Sequence, residues 1–493
     1  MPGRARGGAP LLIPLDPDAA EPLYRQIYRA LREAILGGRL LPGVRLPSTR
    51  TLATELGVSR NTVLAAYDQL LAEGYLDGRV GSGTVVAESG VSRLASVAAA
   101  RPPSPGSGVR APSRRGARVA SLPIKLSFLG GASRAFSPGV PALDEFPLRL
   151  WRRLASRRRS EARPSILEYG DSPGYRPLRE AVAGYLGAAR GVRCDPDQVL
   201  IVAGSQQALD LTARVVLDPG DTAWIEDPGY FGARGALVAA GARVVAVPLD
   251  DEGLSVDAGI ARAPDARLAY VTPSHQFPTG MTMSLARRLA LLDWARRRGA
   301  WILEDDYDSE FRYASRPLSA LQGIDADGLV IYTGTFSKVL FPALRLGYLV
   351  APPALVDAFV AARLFTDTHA PIGEQAVLAE FLAEGHFERH VRRMRSLYHE
   401  RQEVLIESAK QELAPALTIG ASEAGMHVVG WLAPGADDCS ASRQAARHGV
   451  DAIAISAFAL EPPARGGLVL GYSHLAPAEI RGGVRKLKRA LLG

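Results

Sequence analysis

Apolar positions recur with a helical period in the first part of the chain. Between residues 15 and 87 this pattern predicts a long helix over Pro22–Leu36, a short helix over Ser48–Gly57 and a third helix over Ser59–Glu73. Serine stands at the start of the last two as a good N-cap, and glycine ends the first two. Residues 75–86 then read as strand, turn and strand. We expect a small domain of three helices and a β-hairpin.

From about residue 126, short apolar runs alternate with helical patterns. The runs expected to be strands are Gln198–Ala203, Thr222–Ile225, Arg243–Val247, Leu268–Val271, Trp301–Leu303 and Leu329–Tyr332. A clear helical pattern covers Leu285–Arg298. Buried strands separated by helices predict a mostly parallel sheet covered on both faces. After about residue 351, the helical patterns Glu374–Leu382 and His386–Ser408 lead into a smaller α+β subdomain that ends the domain 126–493.

A segment of different composition, residues 88–125, separates these two domains. It is rich in Ala, Pro, Ser and Gly, and residues 88–120 carry six arginines against one acid. This composition predicts a flexible basic linker. The charge either solvates a tether or adds phosphate contacts, and we favour the tether because linkers need charge for solubility.

The composition of the whole chain excludes several classes of protein. Its 493 residues are too many for one core, and the net charge of +7 is compatible with a nucleic-acid partner. The two cysteines, Cys194 and Cys439, provide neither a disulfide framework nor a metal cluster. The N-terminal apolar run is too short for a signal peptide, and no run is long enough to cross a bilayer. We expect a cytoplasmic protein with no membrane or metal partner.

The two helices joined at Gly57-Val58 have the shape of a helix-turn-helix. The second helix opens with short polar and cationic side chains that can reach base edges and phosphates in a major groove. Arginine and hydroxyl side chains before the first helix, and glycine in the hairpin, can approach the DNA backbone. The candidate DNA-binding residues are Arg45, Ser48, Thr49, Arg50, Ser59, Arg60, Asn61, Thr62 and Gly81. A helical interaction module has the same caps, but the hairpin wing favours double-stranded DNA.

A family resemblance extends over this domain. The segments Leu46-Pro47-Ser48-Thr49-Arg50, Leu56-Gly57-Val58-Ser59-Arg60-Asn61-Thr62-Val63 and Gly81-Ser82-Gly83-Thr84 resemble the GntR-type winged helix. The resemblance implies that Arg50 and Arg60 are main DNA contacts. Some members have an arginine where this chain has Leu64, so one contact of the family is missing here.

Lys338 is the candidate for covalent chemistry. It follows a strand and small hydroxyl residues in Thr333-Gly334-Thr335-Phe336-Ser337-Lys338, and a lysine can form a Schiff base with an aldehyde. Thr335, Ser337 and Arg345 can hold a phosphate nearby. The turn Gly204-Ser205-Gln206 opens a helix, whose backbone N–H groups bind phosphate. A lone lysine is usually a surface residue, so its neighbours decide the interpretation.

Two further strand ends carry groups suited to a pyridine ring. Asp305 follows the strand Trp301–Leu303, and a carboxylate there can pair with a protonated ring nitrogen. Tyr307 can hydrogen-bond the hydroxyl oxygen of the ring, and Tyr230 can stack on its face. Each of these residues alone is as well explained by an acidic loop or a packed turn.

Together and in this order, the motifs resemble fold-type I pyridoxal-phosphate enzymes, the aspartate-aminotransferase fold. The segments Glu226–Tyr230, Thr272–Gly280, Glu304–Phe311 and Gly334–Lys338 are similar to the MocR subgroup of GntR regulators. The resemblance implies a multi-domain chain, an N-terminal winged helix-turn-helix fused to an α/β domain that binds pyridoxal 5'-phosphate. It implies an internal aldimine on Lys338, Asp305 at the ring nitrogen, Tyr307 at the 3-hydroxyl oxygen, Tyr230 stacked, and Ser205, Gln206, Thr335, Ser337 and Arg345 around the phosphate.

The sequence departs from the aminotransferase pattern at two places. Phe277 stands where aminotransferases have an asparagine that contacts the 3-hydroxyl oxygen, so His275 or Gln276 is expected to substitute. Val469 stands where an arginine clamps the α-carboxylate of the substrate, which disfavours ordinary amino-acid turnover. Arg465 is close in sequence, and its direction is open.

The resemblance implies a transcription regulator that depends on pyridoxal phosphate. The effector is the cofactor itself or an amine or amino acid that forms an external aldimine, and Val469 favours the cofactor over a carboxylate-bearing effector. The alternative is an active aminotransferase with an appended DNA-binding module; weak transaminase activity is compatible with either function. A cofactor carrier without gene control leaves the winged helix unexplained. The resemblance also implies a homodimer and a DNA operator as partner.

Overall fold

The chain folds into two compact units, Met1–Ala111 and Pro112–Gly493. The structure, a computed structural model, describes residues 13–79, 83–88, 111–122, 134–160, 168–313 and 318–493. In these ranges, no helix has both the length and the apolar composition that a membrane crossing requires.

The smaller unit has the predicted three helices and hairpin. They are α1 Leu23–Leu36, α2 Thr49–Leu56, α3 Arg60–Ala72, β1 Leu76–Arg79 and β2 Gly83–Val86. The Oγ atoms of Ser48 and Ser59 accept hydrogen bonds from backbone N–H groups of α2 and α3, as N-caps do. The Tyr67 hydroxyl donates to the Pro47 carbonyl over 2.9 Å. This contact ties α3 to the segment that leads into α2.

The larger unit alternates helices and strands. Its helices are α4 Arg114–Ala120, α5 Leu148–Ser160, α6 Arg176–Arg190, α7 Ser205–Val216, α8 Phe231–Ala240, α9 Val256–Arg262, α10 Leu285–Arg298, α11 Leu321–Ile324, α12 Val356–Asp367, α13 Ile372–Ala383, α14 His386–Glu412, α15 Asp438–Arg447 and α16 Pro477–Leu492. Its strands are β3 Val199–Val202, β4 Thr222–Asp227, β5 Arg243–Asp250, β6 Gly253–Leu254, β7 Leu268–Val271, β8 Trp301–Asp306, β9 Val330–Thr335, β10 Gly347–Val350, β11 Leu417–Ile419, β12 His427–Leu432, β13 Ile453–Ala454 and β14 Gly467–Gly471.

Eight strands form the central sheet, in the order β3-β10-β9-β8-β7-β4-β5-β6. The inner strands from β9 to β5 are parallel, whereas β10 and β6 run against their neighbours. Two apolar clusters, one around Leu209 and Leu237 and the other around Leu291 and Trp294, cover the sheet. The prediction of a mostly parallel, covered sheet is therefore confirmed. The sequence pattern did not predict strands β6 and β10 of this sheet.

The C-terminal part forms the smaller subdomain expected after residue 351. Its sheet is antiparallel, in the order β11-β12-β14-β13. The long helix α14 packs against α16, and both belong to a buried cluster that continues into the large subdomain. This continuity fixes the small sheet beside the central sheet.

One part of the expected linker is ordered. Helix α4 lies at the start of the larger unit, is capped by Ser113 and contacts α8. Its seven residues, Arg114–Ala120, show no apolar periodicity from which a helix could be predicted, and none of them is buried. The linker prediction for residues 89–110 and 123–125 lies outside the described residues.

Candidate functional site

The site of the larger unit lies where parallel strands of the central sheet end. Ser205 follows β3, Tyr230 follows β4 and His275 follows β7, while Asp305 lies at the end of β8 and Lys338 shortly after β9. Loops at the carboxyl ends of parallel strands meet at one edge of the sheet, where α/β proteins bind ligands. The sheet thus gathers residues that are far apart in the sequence.

Lys338 is held by a backbone carbonyl. Its Nζ donates to the Gly139 oxygen over 2.9 Å. Burial lowers the pKa of the Lys338 ammonium, although the Asp308 and Asp305 carboxylates oppose this change. A lowered pKa increases the fraction of free amine, which is the nucleophilic form.

Asp305 has one satisfied and one unsatisfied carboxyl oxygen. Its Oδ2 accepts a hydrogen bond from the Tyr270 hydroxyl over 2.9 Å, whereas its buried Oδ1 has no partner among the described residues. Burial raises the pKa of Asp305 to about 7. A buried carboxyl with a free oxygen is suited to receive a cationic N–H donor, which would favour its ionised form.

Shortly after Asp305 in the chain, a tyrosine and a carboxylate both contact the ring of one histidine, His275. The Tyr307 hydroxyl lies 2.9 Å from His275 Nδ1, which also lies 3.0 Å from Asp308 Oδ1. His275 Nε2 is buried and has no partner among the described residues. This nitrogen lies against Gly280 and Gly425, where an added Cβ would approach it to 3.2 Å and 2.6 Å.

The neighbouring Gln276 is occupied by structural contacts. Its amide nitrogen donates to the Pro228 carbonyl over 2.9 Å and to the Glu226 carboxylate over 3.2 Å. Its amide oxygen accepts from the backbone and the hydroxyl of Thr279. Of the two substitutes expected for the missing asparagine, the geometry therefore favours His275.

The residues expected around a phosphate meet at the start of α7. The Arg345 guanidinium donates to the Ala203 carbonyl over 2.7 Å and lies beside Gly204, where an added Cβ would approach it to 3.3 Å. Gly204 has a φ of 89°, a left-handed conformation that favours glycine. Ser337 Oγ is buried and has no partner among the described residues. Thr335 Oγ1 accepts from the Ser337 backbone N–H, which holds this turn together.

Tyr230 lies between the two halves of the site. Burial raises its pKa to about 12, and the charges of Asp305 and Arg345 act on it in opposite directions. Its ring meets the Phe277 ring edge-on, with centroids 5.8 Å apart. Gln206, at the start of α7, donates from its amide to the Gly232 carbonyl just beyond Tyr230.

The position expected to clamp a carboxylate is apolar in its surroundings as well as in its own side chain. Val469 is fully buried in a cluster with Val429, Ile455 and Phe458, against which Phe277 packs. Arg465 does not compensate for the missing arginine, because it donates to the Leu432 carbonyl and lies over the Trp431 ring.

Sequence reasoning missed Gly139, Tyr270, Asp308 and His427. Asp308 lies within the acidic run after β8, which is the signal that could have found it. His427 reads as an ordinary core residue of β12, and no sequence signal links it to the site. Burial lowers its pKa to about 3, so its imidazole is neutral, and its ring centroid lies 5.3 Å from that of His275.

A possible metal-ligand group lies elsewhere, at the start of α15. Side chains of Asp437, Asp438 and Cys439 converge there. The two carboxylates already accept hydrogen bonds from backbone N–H groups, among them those of Ser440 and Gly467. These contacts explain the acidic residues as a helix cap and a loop anchor.

The candidate DNA-binding residues lie around the starts of α2 and α3. Arg50, Arg60 and Asn61 are exposed, and Arg60 Nε donates to Thr49 Oγ1 over 3.5 Å. Arg45 is exposed and lies against Gly83 of the hairpin. The Ser48 and Ser59 hydroxyls cap their helices and contact the hydroxyls of Thr51 and Thr62. Gly81 lies outside the described residues.

Comparison with known proteins agrees with this two-part organisation. The family profile "Aminotransferase class I and II" matches residues 137–480, and the profile "Bacterial regulatory proteins, gntR family" matches residues 23–86. The chain is 43% identical to the "Probable rhizopine catabolism regulatory protein MocR" of Rhizobium meliloti, over 98% of this chain and 96% of that protein. It is 36% identical to the HTH-type transcriptional regulator TauR of Rhodobacter capsulatus, over 97% of this chain and 98% of that protein.

Among solved structures, the larger unit is similar to an enzyme. LysN, the alpha-aminoadipate aminotransferase of Thermus thermophilus, aligns with a TM-score of 0.67 and 34% identity, over 72% of this chain and 91% of that chain. The relatives that match nearly the whole chain, however, are regulators that carry the DNA-binding domain as well. The chain therefore belongs to the MocR-type transcription regulators of the GntR family, in which a helix-turn-helix domain precedes a domain with the aminotransferase class I fold.

Proposed function

We propose that the larger unit holds pyridoxal 5'-phosphate on Lys338, and that the state of this site controls DNA binding by the smaller unit. The observation that carries the proposal is the convergence of two buried polar atoms, Asp305 Oδ1 and Ser337 Oγ, on the surroundings of Lys338; neither has a partner among the described residues. A phosphate and a protonated ring nitrogen beside Lys338 would supply partners to both atoms.

The residues present fit the chemical groups of this cofactor. Arg345, Ser337 and the backbone N–H groups at the start of α7 are suited to the phosphate. Asp305 is suited to the ring nitrogen and Tyr230 to the ring face, while His275 and Tyr307 are suited to the ring hydroxyl. Pyridoxal phosphate supplies an aldehyde that binds amines covalently and a ring that withdraws electrons.

Each side chain contributes a separate function. Lys338 presents an amine whose pKa burial has lowered, and the Gly139 carbonyl orients it. The Tyr270 hydroxyl orients the Asp305 carboxyl. The Asp308 carboxylate orients the His275 ring through Nδ1, so that Nε2 is directed away from Asp308. His427 remains neutral and adds no charge to the site.

The apolar surroundings of Val469 favour the cofactor itself, or an amine without an α-carboxylate, as the effector. A carboxylate placed beside Val469 and Phe458 would be desolvated without a counter-charge. The similar protein of Rhizobium meliloti is named for the control of rhizopine catabolism, which supports a role in regulating genes for the use of a small molecule.

The first experiment is an absorbance spectrum of the purified protein after addition of pyridoxal phosphate. We expect a visible band in the wild type and in Lys410→Ala, a matched loss of an exposed lysine on α14, and no such band in Lys338→Ala. Absence of the band from the wild type would refute the cofactor site.

The second experiment tests the switch. DNA duplexes that bind the protein are selected from a random pool, and their affinity is measured with and without pyridoxal phosphate and with added amines. We expect affinity to differ between the states, because a ligand shifts an equilibrium only through differential binding. Equal affinity in all states would leave a cofactor-binding protein without a switch.

Slow transamination is the second candidate function, and the lowered pKa of the Lys338 amine favours it. The apolar position of Val469 opposes rapid turnover, since the usual arginine for the substrate carboxylate is missing there. Rapid conversion of a common amino acid with a keto acid would favour the enzymatic function over the regulatory one.

The homodimer also stays a prediction, which light scattering on the full chain would test.

A further inference from the structure

Helix α5 carries a concentration of positive charge that neither the cofactor site nor the winged helix uses. Its 13 residues include six arginines and no acidic residue. Trp151 and Leu154 are buried and fix the helix on the core of the larger unit. The arginines therefore have a defined orientation on the surface.

Two of these arginines are paired. Arg158 Nε lies 2.7 Å from Glu380 Oε2, and Arg157 contacts both Glu380 and Glu384. We call the other four the arginine face: Arg149, Arg152, Arg153 and Arg159, all of them exposed. In the described ranges, none of the four forms an ion pair or a hydrogen bond with another side chain.

The surface next to this face is also basic. Arg389 of α14 donates to the Glu384 carbonyl, and Arg393 of the same helix pairs with Glu145, which precedes α5. Arg392, which lies between Arg389 and Arg393 in the chain, is exposed. Of the acids in this region, Glu145, Glu380 and Glu384 are already engaged by arginines, whereas Asp144 and Glu388 are exposed. The region therefore keeps an excess of positive charge.

We infer that the arginine face binds DNA backbone phosphates outside the footprint of the winged helix. Arg149 and Arg153 stand one turn apart, about 6 Å along the helix axis. Phosphates recur about every 3.4 Å along each strand of a duplex, so both guanidinium groups can reach one backbone. The planar guanidinium also fits phosphate oxygens in a two-pronged geometry.

Repulsion between the arginines supports a polyanionic partner. Like charges three and four residues apart destabilise a helix, and an anion that lies across them removes this repulsion. DNA is favoured among polyanions because this chain carries a GntR-type DNA-binding domain. Contacts of this kind supply affinity without base specificity.

The salt dependence of binding to a long mixed-sequence duplex tests this inference, by fluorescence anisotropy with the full chain. The variant is Arg149→Gln/Arg152→Gln/Arg153→Gln, which keeps helix propensity nearly unchanged. The matched control is Arg296→Gln/Arg297→Gln/Arg298→Gln, which removes the same charge from exposed positions at the end of α10. Light scattering checks that both variants keep the oligomeric state of the wild type.

The α5 variant is expected to make the negative slope of log K against log salt shallower by up to about 2.7, at about 0.9 for each phosphate that the protein no longer neutralises. The α10 control is expected to keep the slope of the wild type. Equal slopes in the two variants would overturn the inference, because the effect would then be one of net charge. Loss of assembly in the α5 variant alone would also overturn it, since the face would then be an interface between copies.

Discussion

Replacing Asp305 by asparagine is expected to have opposite effects with and without the cofactor. The substitution keeps the shape of the side chain and an oxygen that can accept from Tyr270, and it removes the ionisable group. In the cofactor-free protein the Asp305 carboxyl is buried with one oxygen unpartnered among the described residues, so its ionised form is unfavourable.

The pH dependence gives the magnitude. Burial raises the pKa of Asp305 from 3.8 to about 7, so the folded protein binds this proton more tightly than the unfolded chain does. The corresponding stability is fully present below the unfolded pKa and is lost as the pH rises through the folded pKa. A shift of about three units corresponds to about 4 kcal/mol. An unsatisfied amide in the variant costs about 1–3 kcal/mol, which leaves the variant about 1–3 kcal/mol more stable above pH 7.

The assay is thermal unfolding followed by tryptophan fluorescence. All five tryptophans belong to the larger unit, so the signal reports on the unit that contains Asp305. Without cofactor, Asp305→Asn is expected to unfold at a higher temperature than the wild type at pH 8 and to lose this advantage at pH 5. With pyridoxal phosphate the order is expected to reverse, because the ligand stabilises the state that it binds and the variant binds it less tightly.

The control is Asp327→Asn. Because Asp327 is exposed, this substitution is expected to leave the unfolding temperature unchanged with and without cofactor. Two results would refute the reasoning. If the variant is less stable than the wild type at every pH without cofactor, the ionised Asp305 carboxylate does not destabilise the folded state. Equal stabilisation of both proteins by the cofactor would show that Asp305 does not contact its ring nitrogen.

Three further substitutions test other parts of the structure. Tyr270→Phe removes the hydroxyl that donates to Asp305, and a bond to a charged group contributes about 1.5–3 kcal/mol, so cofactor retention measured by dialysis and absorbance is expected to fall about tenfold or more. Val469→Arg places an uncompensated charge in an apolar cluster and is expected to cost about 3–5 kcal/mol in urea unfolding; an unchanged midpoint would mean that the position is open to solvent. Ser59→Ala removes the N-cap of α3 and is expected to cost about 0.5–2 kcal/mol, measured as a lower unfolding midpoint of the smaller unit by circular dichroism, with the exposed Ser396→Ala leaving that midpoint unchanged.

Local chemistry along the chain was enough to predict much of this protein. Helix α10 has the bounds that its apolar period predicts, and the caps at Ser48 and Ser59 mark α2 and α3 within a residue or two. Such signals are readable because helix periodicity and capping depend on residues within a few positions of one another. The positions of Lys338, Asp305 and Tyr230 after apolar strands were visible for the same reason.

The contacts that define the site were decided by the tertiary structure alone. Gly139 meets Lys338 across 199 positions, and His427 meets Pro278 across 149. No local pattern encodes such pairs, because they arise from the order of strands in the sheet and from the docking of the small subdomain. The same docking places Val469 beside Phe277, which turns two separate departures from the aminotransferase pattern into one apolar wall. The sequence by itself determined which chemical groups the protein has, and the tertiary structure decided which of them are neighbours, since contact between distant residues depends on the packing of the whole unit.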